Sequence, residues 1–123
     1  MLKEKIKELA IRYKSQIIDF RKHLHAHPEL SFKEFETCAF VEKQLRSFGI
    51  NQIEKKAGTG LVALIEGKNP GKKVIALRAD MDALPIKEAN DVPYKSQNEG
   101  VMHACGHDVH TSSLLGAARI LNE

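Results

Sequence analysis

The chain has 123 residues, of which 42% are hydrophobic and 28% charged, and its formal net charge is +3. This length fits one small domain or part of one, and this composition is typical of a soluble globular protein rather than a disordered segment. The basic residues are scattered, with short pairs at Lys55-Lys56 and Lys72-Lys73, so the charge pattern predicts neither nucleic-acid nor membrane-surface binding. The first residues form no continuous apolar run, which argues against a secretion signal or a membrane span and makes a cytoplasmic location the default expectation.

Two amphipathic helices are predicted in the first half of the chain. From Leu2 to about His25, apolar residues recur every three or four positions, which is one face of a long helix that Pro28 ends. Ser31 with Glu34 three residues later predicts a capping box and the start of a second helix, for which Gly49 is the left-handed terminator.

The second helix has an apolar face that includes one of the two cysteines. This face contains Phe35, Cys38, Val41, Leu45 and Phe48. Because Cys38 shares the helical phase of these apolar residues, it is predicted to be a small buried hydrophobe rather than a metal ligand.

Three histidines alternate between these helices, at His23, His25 and His27. On a helix, His23 and His27 share a face while His25 points away from it. The tract has no neighbouring thiol or carboxylate cluster, so structural roles, substrate-pocket roles or support of metal ligands are favoured over direct ligation.

After Gly49 the pattern changes to short apolar runs, which predict strands. Residues 52–56 predict a polar edge strand, 61–65 a buried strand and 74–77 the next strand. The turn formers at 68–71 make a hairpin of the last two strands. With a final helix expected from about Val109, the predicted fold class is α/β, with two helices, then a mixed sheet, and a helix after the Cys/His cluster described below.

Two carboxylates, Asp80 and Asp82, follow directly after the predicted strand at 74–77. The carboxyl end of a strand is a common position for catalytic groups in α/β sheets. A solvated turn would explain either aspartate alone, but the pair favours roles as metal ligands or as supports of such ligands. A long loop, residues 86–101, joins this pair to the Cys/His cluster, and loops of this length often serve a function.

The cluster at residues 103–110 contains one thiol, three imidazoles and one carboxylate. Thiolate and imidazole are donors that zinc-like ions prefer, and the sequence Cys105-Gly106-His107 lets a tight turn point both donors the same way. In the alternative interpretation, Asp108 caps the following helix and the histidines are merely solvated around it. The density of ligating groups favours a metal site.

Three segments of the chain resemble the N-terminal signatures of the M20 metallopeptidase family. These segments are His25 to Ser31, Leu77 to Ile86 and Met102 to Thr111. They are most similar to the amidohydrolase branch, which includes hippurate hydrolases, N-acyl-amino-acid and N-acetyldiaminopimelate deacylases, and auxin-conjugate hydrolases. The resemblance implies that residues 1–123 are the N-terminal portion of a dinuclear-metal, aminopeptidase-like catalytic domain.

The same resemblance implies roles for individual residues. Cys105 and His107 would be metal ligands of a two-metal site, and Asp82 would support the site without binding metal itself. Asp80 stands where other branches have a ligand histidine, so its role stays open. The implied cofactors are divalent ions, manganese or zinc, with nickel and cobalt as alternatives. The family's general base, a glutamate followed by a ligand glutamate, and two further ligand histidines have no counterpart in these residues.

The implied activity is metal-dependent cleavage of the amide bond in N-acyl amino acids with acetyl, benzoyl or similar acyl groups. The 123 residues would be an incomplete part of that enzyme, lacking the base and a lid or dimerisation domain, and would be inactive alone. The expected partner is a small-molecule substrate, with neither nucleic acid nor membrane, and a homodimer stays open for the complete enzyme. The alternative function is that of a non-catalytic metal-binding or interaction fragment.

Overall fold

The computed structural model describes all 123 residues. Its elements are α1 (Leu2–Ala26), α2 (Phe35–Ser47), β1 (Ile53–Lys56), β2 (Gly60–Ala63) and α3 (His107–Asn122). The predicted α/β class, with two helices before the sheet and one after the Cys/His cluster, is confirmed. None of the helices combines the length and the apolar character that crossing a membrane requires.

Helix α1 follows the predicted stripe and lies against α3. Its buried apolar residues include Leu9, Phe20 and Leu24, and the helix ends two residues before Pro28, as the sequence predicts. The two helices approach closely at Gly116, where an added Cβ would lie 2.5 Å from the Cδ1 of Ile17. A glycine at this position therefore permits the contact between the helices.

The predicted capping box of helix α2 is wrong, and the helix begins only at Phe35. Neither Ser31 nor Glu34 provides a side-chain cap. The first turn is instead satisfied by Glu29, whose carboxylate accepts the backbone N–H groups of Glu36 at 3.1 Å and Thr37 at 2.5 Å. A carboxylate that reaches back from the preceding loop neutralises the free N–H groups and the positive end of the helix dipole, so no local cap is needed.

Two other predictions for α2 are confirmed. Cys38 is buried and unpaired, and burial raises the pKa of its thiol, as expected of a core residue. Gly49 follows the helix with φ of 84°, in the left-handed conformation that glycine adopts without steric cost. Phe35, in contrast, lies largely exposed rather than on the buried face.

The sheet is a two-stranded antiparallel hairpin in which Ile53 pairs with Ala63 and Lys56 with Gly60. The predicted strand at 52–56 is therefore confirmed, and the predicted mixed sheet is present only as this antiparallel pair. Parallel pairing is limited to an isolated bridge between Leu30 and Ala83.

The predicted hairpin between residues 61–65 and 74–77 is wrong. Residues 74–77 form no strand, and Val74 and Ile75 are 88% and 81% exposed. The predicted strand at 61–65 is present as β2 (Gly60–Ala63), but it is not buried as predicted, since Val62 and Leu64 are 57% and 49% exposed. Strand β2 pairs instead with β1 through a short turn in which Gly58 has a φ of 80°. A short loop of this kind loses less entropy on closure than the longer connection through residues 66–73 would lose.

The core joins the three helices to the segment that follows α2. Its fully buried apolar residues are Phe20, Val41, Leu45, Ile50 and Leu115. Partly buried side chains of the hairpin, including Ile53 and Leu61, pack against this cluster. The first helix, the second helix and the helix that starts in the Cys/His cluster therefore share one core.

We expect Leu115→Ala to destabilise the protein strongly, because Leu115 is 2% exposed and the substitution leaves a cavity between the helices. Losses of about 2–5 kcal/mol are typical of such changes. Urea unfolding measures the effect, with Leu121→Ala on the exposed face of the same helix as the matched control. Equal unfolding midpoints for the two variants would contradict the assigned core.

Candidate metal centre

The residues Cys105-Gly106-His107 form a tight turn at the entrance of α3. Gly106 is the residue before the helix and has a φ of 86°, a left-handed conformation that a side chain would strain. The helix begins at His107, two residues earlier than the sequence predicts. The thiol of Cys105 is exposed, whereas the imidazole of His107 is partly buried.

Asp82 holds the imidazole of His107 in one orientation. Nδ1 of His107 lies 2.9 Å from the carboxylate Oδ1 of Asp82 and 3.0 Å from its backbone carbonyl oxygen. Both of these oxygens accept, so Nδ1 carries the hydrogen and Nε2 keeps a free lone pair. This is the arrangement in which a histidine that binds metal donates its other N–H to a carboxylate.

Asp80 has a different environment from Asp82. Its carboxylate lies 2.6 Å from the guanidinium of Arg78, and its backbone carbonyl accepts the hydroxyl of Thr111 at 2.8 Å. Asp80 is therefore well described by the alternative interpretation, in which a single aspartate lies in a solvated turn. The two aspartates that are near neighbours in the sequence thus have different roles. Asp80 forms an exposed ion pair, and Asp82 contacts His107.

Asp108 lies in the first turn of α3, but its side chain does not cap the helix. It is 2% exposed, and its Oδ2 accepts hydrogen bonds from Nε of Arg21 at 3.0 Å and Nδ1 of His25 at 2.8 Å. Burial raises the pKa of Asp108, but the hydrogen bond from His25 and the charges of His103 and Arg21 outweigh burial and lower it. The alternative interpretation, in which Asp108 caps α3 and the histidines of residues 103–110 are solvated around it, is therefore wrong for Asp108 and for the buried His103.

On its other side His25 contacts Glu88, from the long loop. Nε2 of His25 lies 2.8 Å from Oε2 of Glu88, which also accepts the side chain of Asn90, while Oε1 accepts the backbone N–H of Ser96. Burial raises the pKa of Glu88, but these hydrogen bonds, led by that of His25, lower it to about 2.

The histidine tract divides as the helical geometry predicts. The rings of His23 and His27 stack with centroids 4.5 Å apart, and Nδ1 of His27 donates to the carbonyl of His23. They line a cavity of about 590 Å³ between α1 and α2, away from the turn at Cys105. His25 points to the opposite side and is buried. Of the roles that the sequence leaves open for the tract, the contacts of His25 with Asp108 and Glu88 favour a structural one.

Comparison with known proteins shows which family the residues around this site resemble. Residues 76–123, which include Asp82, Cys105 and His107, match the model of peptidase family M20/M25/M40. This part of the chain is similar to the M20 family. The resemblance of the sequence motifs to that family is thereby confirmed.

The similarity to individual relatives extends over the whole chain. The chain is 51% identical over 123 residues to an N-acyl-L-amino acid amidohydrolase of Geobacillus stearothermophilus, which covers 100% of this chain and 33% of that relative. It is 54% identical over 108 residues to an N-acetyl-L-cysteine deacetylase of Bacillus subtilis (strain 168), covering 88% of this chain and 26% of the relative. The chain thus spans about a third of the length of the curated relatives it matches.

A solved structure shares the fold. The crystal structure of the Bacillus subtilis YXEP protein, described as a dinuclear metal binding peptidase from the M20 family, superposes with a TM-score of 0.85 at 45% identity. The match covers 90% of this chain and 31% of that one.

The donor groups of the turn at residues 105–107 fit a metal ion in part. Cys105 offers an exposed sulfur, and His107 offers the Nε2 lone pair that Asp82 leaves free. No group of three or more His, Cys, Asp or Glu side chains is arranged to hold a metal ion. These residues therefore supply two donors of the chemistry that zinc-like ions prefer, and a complete coordination shell needs further ligands.

The side chain of His103 is a polar group without a partner beside this turn. It is 5% exposed, and neither ring nitrogen has a hydrogen-bond partner. Burial lowers the pKa of His103, although the carboxylate of Asp108 opposes the shift. A buried imidazole without a hydrogen-bond partner is costly. The two ring nitrogens of His103 are therefore available to pair with a further polar group beside the turn.

Sequence reasoning missed two residues that bond to Asp108 and His25, namely the partly exposed Arg21 and the buried Glu88. Arg21 lies one helical turn before His25, a spacing that places both side chains on the same face and that was visible in the sequence. Glu88 is a single acidic residue in a loop, and no pattern distinguishes it from a solvated one.

We expect Glu88→Gln to change how stability depends on pH. Glu88 has a pKa lowered from its ordinary value of 4.5 to about 2, so its charge stabilises the folded state above pH 4.5, and this contribution is lost as pH falls towards 2. Urea unfolding across this range should show a shallower acid decline for Glu88→Gln than for the wild type. The exposed Glu99→Gln in the same loop is the control, and parallel pH curves for all three proteins would contradict the assignment.

Proposed function

We propose that this chain contributes to the catalytic domain of a metal-dependent amidohydrolase that cleaves the amide bond of N-acyl amino acids. The observation that carries the proposal is the contact between Asp82 and Nδ1 of His107, which leaves Nε2 available two residues from the exposed thiol of Cys105. Relatives named N-acyl-L-amino acid amidohydrolase and N-acetyl-L-cysteine deacetylase support this substrate class. We further propose that residues 1–123 are the N-terminal portion of the catalytic domain.

In this proposal Cys105 and His107 bind divalent metal, and Asp82 supports His107. Asp82 fixes the hydrogen on Nδ1 and thereby keeps Nε2 as the donor atom. A bound divalent ion would act as a Lewis acid that polarises the acyl carbonyl. Water adds across the amide, the C–N bond breaks, and a carboxylic acid and a free amino acid are released. The general base lies outside the motifs present here, so we expect these 123 residues alone to be inactive.

We propose two ions in the complete site, because the related Bacillus subtilis protein is described as a dinuclear metal binding peptidase. Manganese and zinc are the first candidates, with nickel and cobalt as alternatives, and the thiolate of Cys105 favours the softer ions among them. The partner is the small-molecule substrate. Metal analysis of the protein purified from its complete gene identifies the ions.

We expect Cys105→Ala to abolish most hydrolysis of N-acetyl- and N-benzoyl-amino acids and to lower the metal content, because the variant lacks a thiolate donor. Turnover is assayed with added manganese or zinc, and metal content by elemental analysis. Cys38→Ala is the control, since it removes a buried thiol from the core and should lower stability while metal stays bound. Unchanged metal stoichiometry and turnover in Cys105→Ala would refute its role as a ligand.

We expect Asp82→Asn to retain metal but to turn over about 10- to 100-fold more slowly, the usual effect of losing a carboxylate that orients a ligand. Asp91→Asn, an exposed loop substitution, should match the wild type. Complete loss of metal from Asp82→Asn would instead make Asp82 a ligand. If the wild type binds metal but cleaves no N-acyl amino acid under any metal condition, the non-catalytic metal-binding function takes the place of the hydrolase.

A further inference from the structure

Four charged side chains from three parts of the chain form one continuous cluster, here called the His25 cluster. Its members are Arg21 and His25 from α1, Glu88 from the loop at 86–101, and Asp108 from α3. Arg21 and His25 both donate to Oδ2 of Asp108, and the other nitrogen of His25 contacts Glu88. His25, Glu88 and Asp108 are each at least 95% buried.

The geometry of the His25 cluster balances its charges. Each ring nitrogen of His25 lies 2.8 Å from a carboxylate oxygen, and carboxylates only accept, so both nitrogens donate and the ring carries a positive charge. Arg21 and His25 then offset Asp108 and Glu88. Buried charges persist only where they are paired and hydrogen-bonded, so removing one member leaves an opposite charge uncompensated.

The cluster reaches the proposed metal site through Asp108. This residue is adjacent to His107 in the first turn of α3, so its position and that of the turn are linked by one peptide unit. The other side of the turn is held by Asp82, which contacts His107, and by the bond from Thr111 to the Asp80 carbonyl. The His25 cluster is therefore one of two anchors between which the turn is set.

The loop at 86–101, which leads into the turn, also contacts the end of α1 near His25. The ring of Tyr94 lies edge-on to His25 at 5.6 Å, and the guanidinium of Arg21 lies 5.1 Å from the centre of that ring. The backbone N–H of Gln97 donates to the carbonyl of Ala26 at 2.8 Å. Glu88 thus belongs to a set of contacts that fixes the path of the chain towards Cys105.

We propose that His25 is a positioning residue that holds the Cys105-Gly106-His107 turn in place by joining Asp108 on one ring nitrogen to Glu88 on the other. Because both nitrogens are used in these bonds, His25 acts through the turn and binds neither metal nor substrate. The effect on catalysis rests on the proposed function, whereas the effect on the turn itself does not.

The test compares His25→Gln with two controls in the protein expressed from its complete gene. Glutamine is neutral and cannot donate to both carboxylates along the line of the imidazole ring. His27→Gln changes an exposed histidine two residues away, outside the cluster. Val41→Ala weakens the core from α2 without touching the cluster, so it measures the effect of lost stability alone.

Hydrogen exchange of residues 103–110 in the metal-free protein is the first measurement. We expect exchange in His25→Gln to be about 10-fold faster than in Val41→Ala, while His27→Gln matches the wild type. Zinc affinity, measured by competition with a chelating dye, should fall about 10-fold, within the range for residues that orient ligands. For N-acetyl-amino acids we expect kcat to fall and KM to stay unchanged.

The outcomes separate positioning from general stabilisation and from failure of the proposed function. Exchange at 103–110 equal to that of Val41→Ala, or zinc affinity equal to that of His27→Gln, would overturn the positioning role. If the wild type neither hydrolyses substrate nor binds zinc, the proposed function fails, and hydrogen exchange still decides the role of His25. If His25→Gln does not fold, Glu88→Gln replaces it and is judged by the same comparison.

Discussion

The burial of the Asp108 carboxylate is the constraint on which the arrangement of the helices depends. A carboxylate that is 2% exposed must have charged donors, and the donors here are Arg21 and His25, two consecutive turns of α1. Helix α1 and the start of α3 are therefore fixed to each other by charge at one end and by the shared apolar core around Leu115 further along. Because the apolar contact alone is not directional, the hydrogen bonds to Asp108 determine where the first turn of α3 lies relative to α1.

The elements predicted correctly are those whose cause lies in local sequence. The apolar period of α1, the buried phase of Cys38 and the left-handed Gly49 each depend on a few neighbouring residues. The errors arose where a distant or competing group decided the outcome. The carboxylate of Glu29 replaced the predicted capping box of α2, and the short turn at Gly58 gave strand β2 a nearer partner than residues 74–77.

The candidate site divides in the same way. Cys105 and His107 were found because they are two residues apart, and Asp82 because it follows an apolar run in a recognisable motif. The partners of His25, Glu88 and Asp108, lie 63 and 83 residues away in the chain. No periodicity links Glu88 to His25 or to Asp108. Hydrogen bonds between side chains depend on the completed tertiary structure, so the sequence indicated that His25 was not a ligand without indicating what it contacts.

The choice of histidine at position 25 follows from the two carboxylates on either side of it. A lysine presents all its donors from one atom, so it would draw both carboxylates towards the same point, where their negative charges repel each other. An arginine is longer and presents its donors as a fork suited to one carboxylate. The imidazole ring places two donors on different edges of a rigid plane, so it separates Glu88 from Asp108 while bonding to both. The same ring that could ligate a metal from an exposed position is thereby committed to joining the loop to α3.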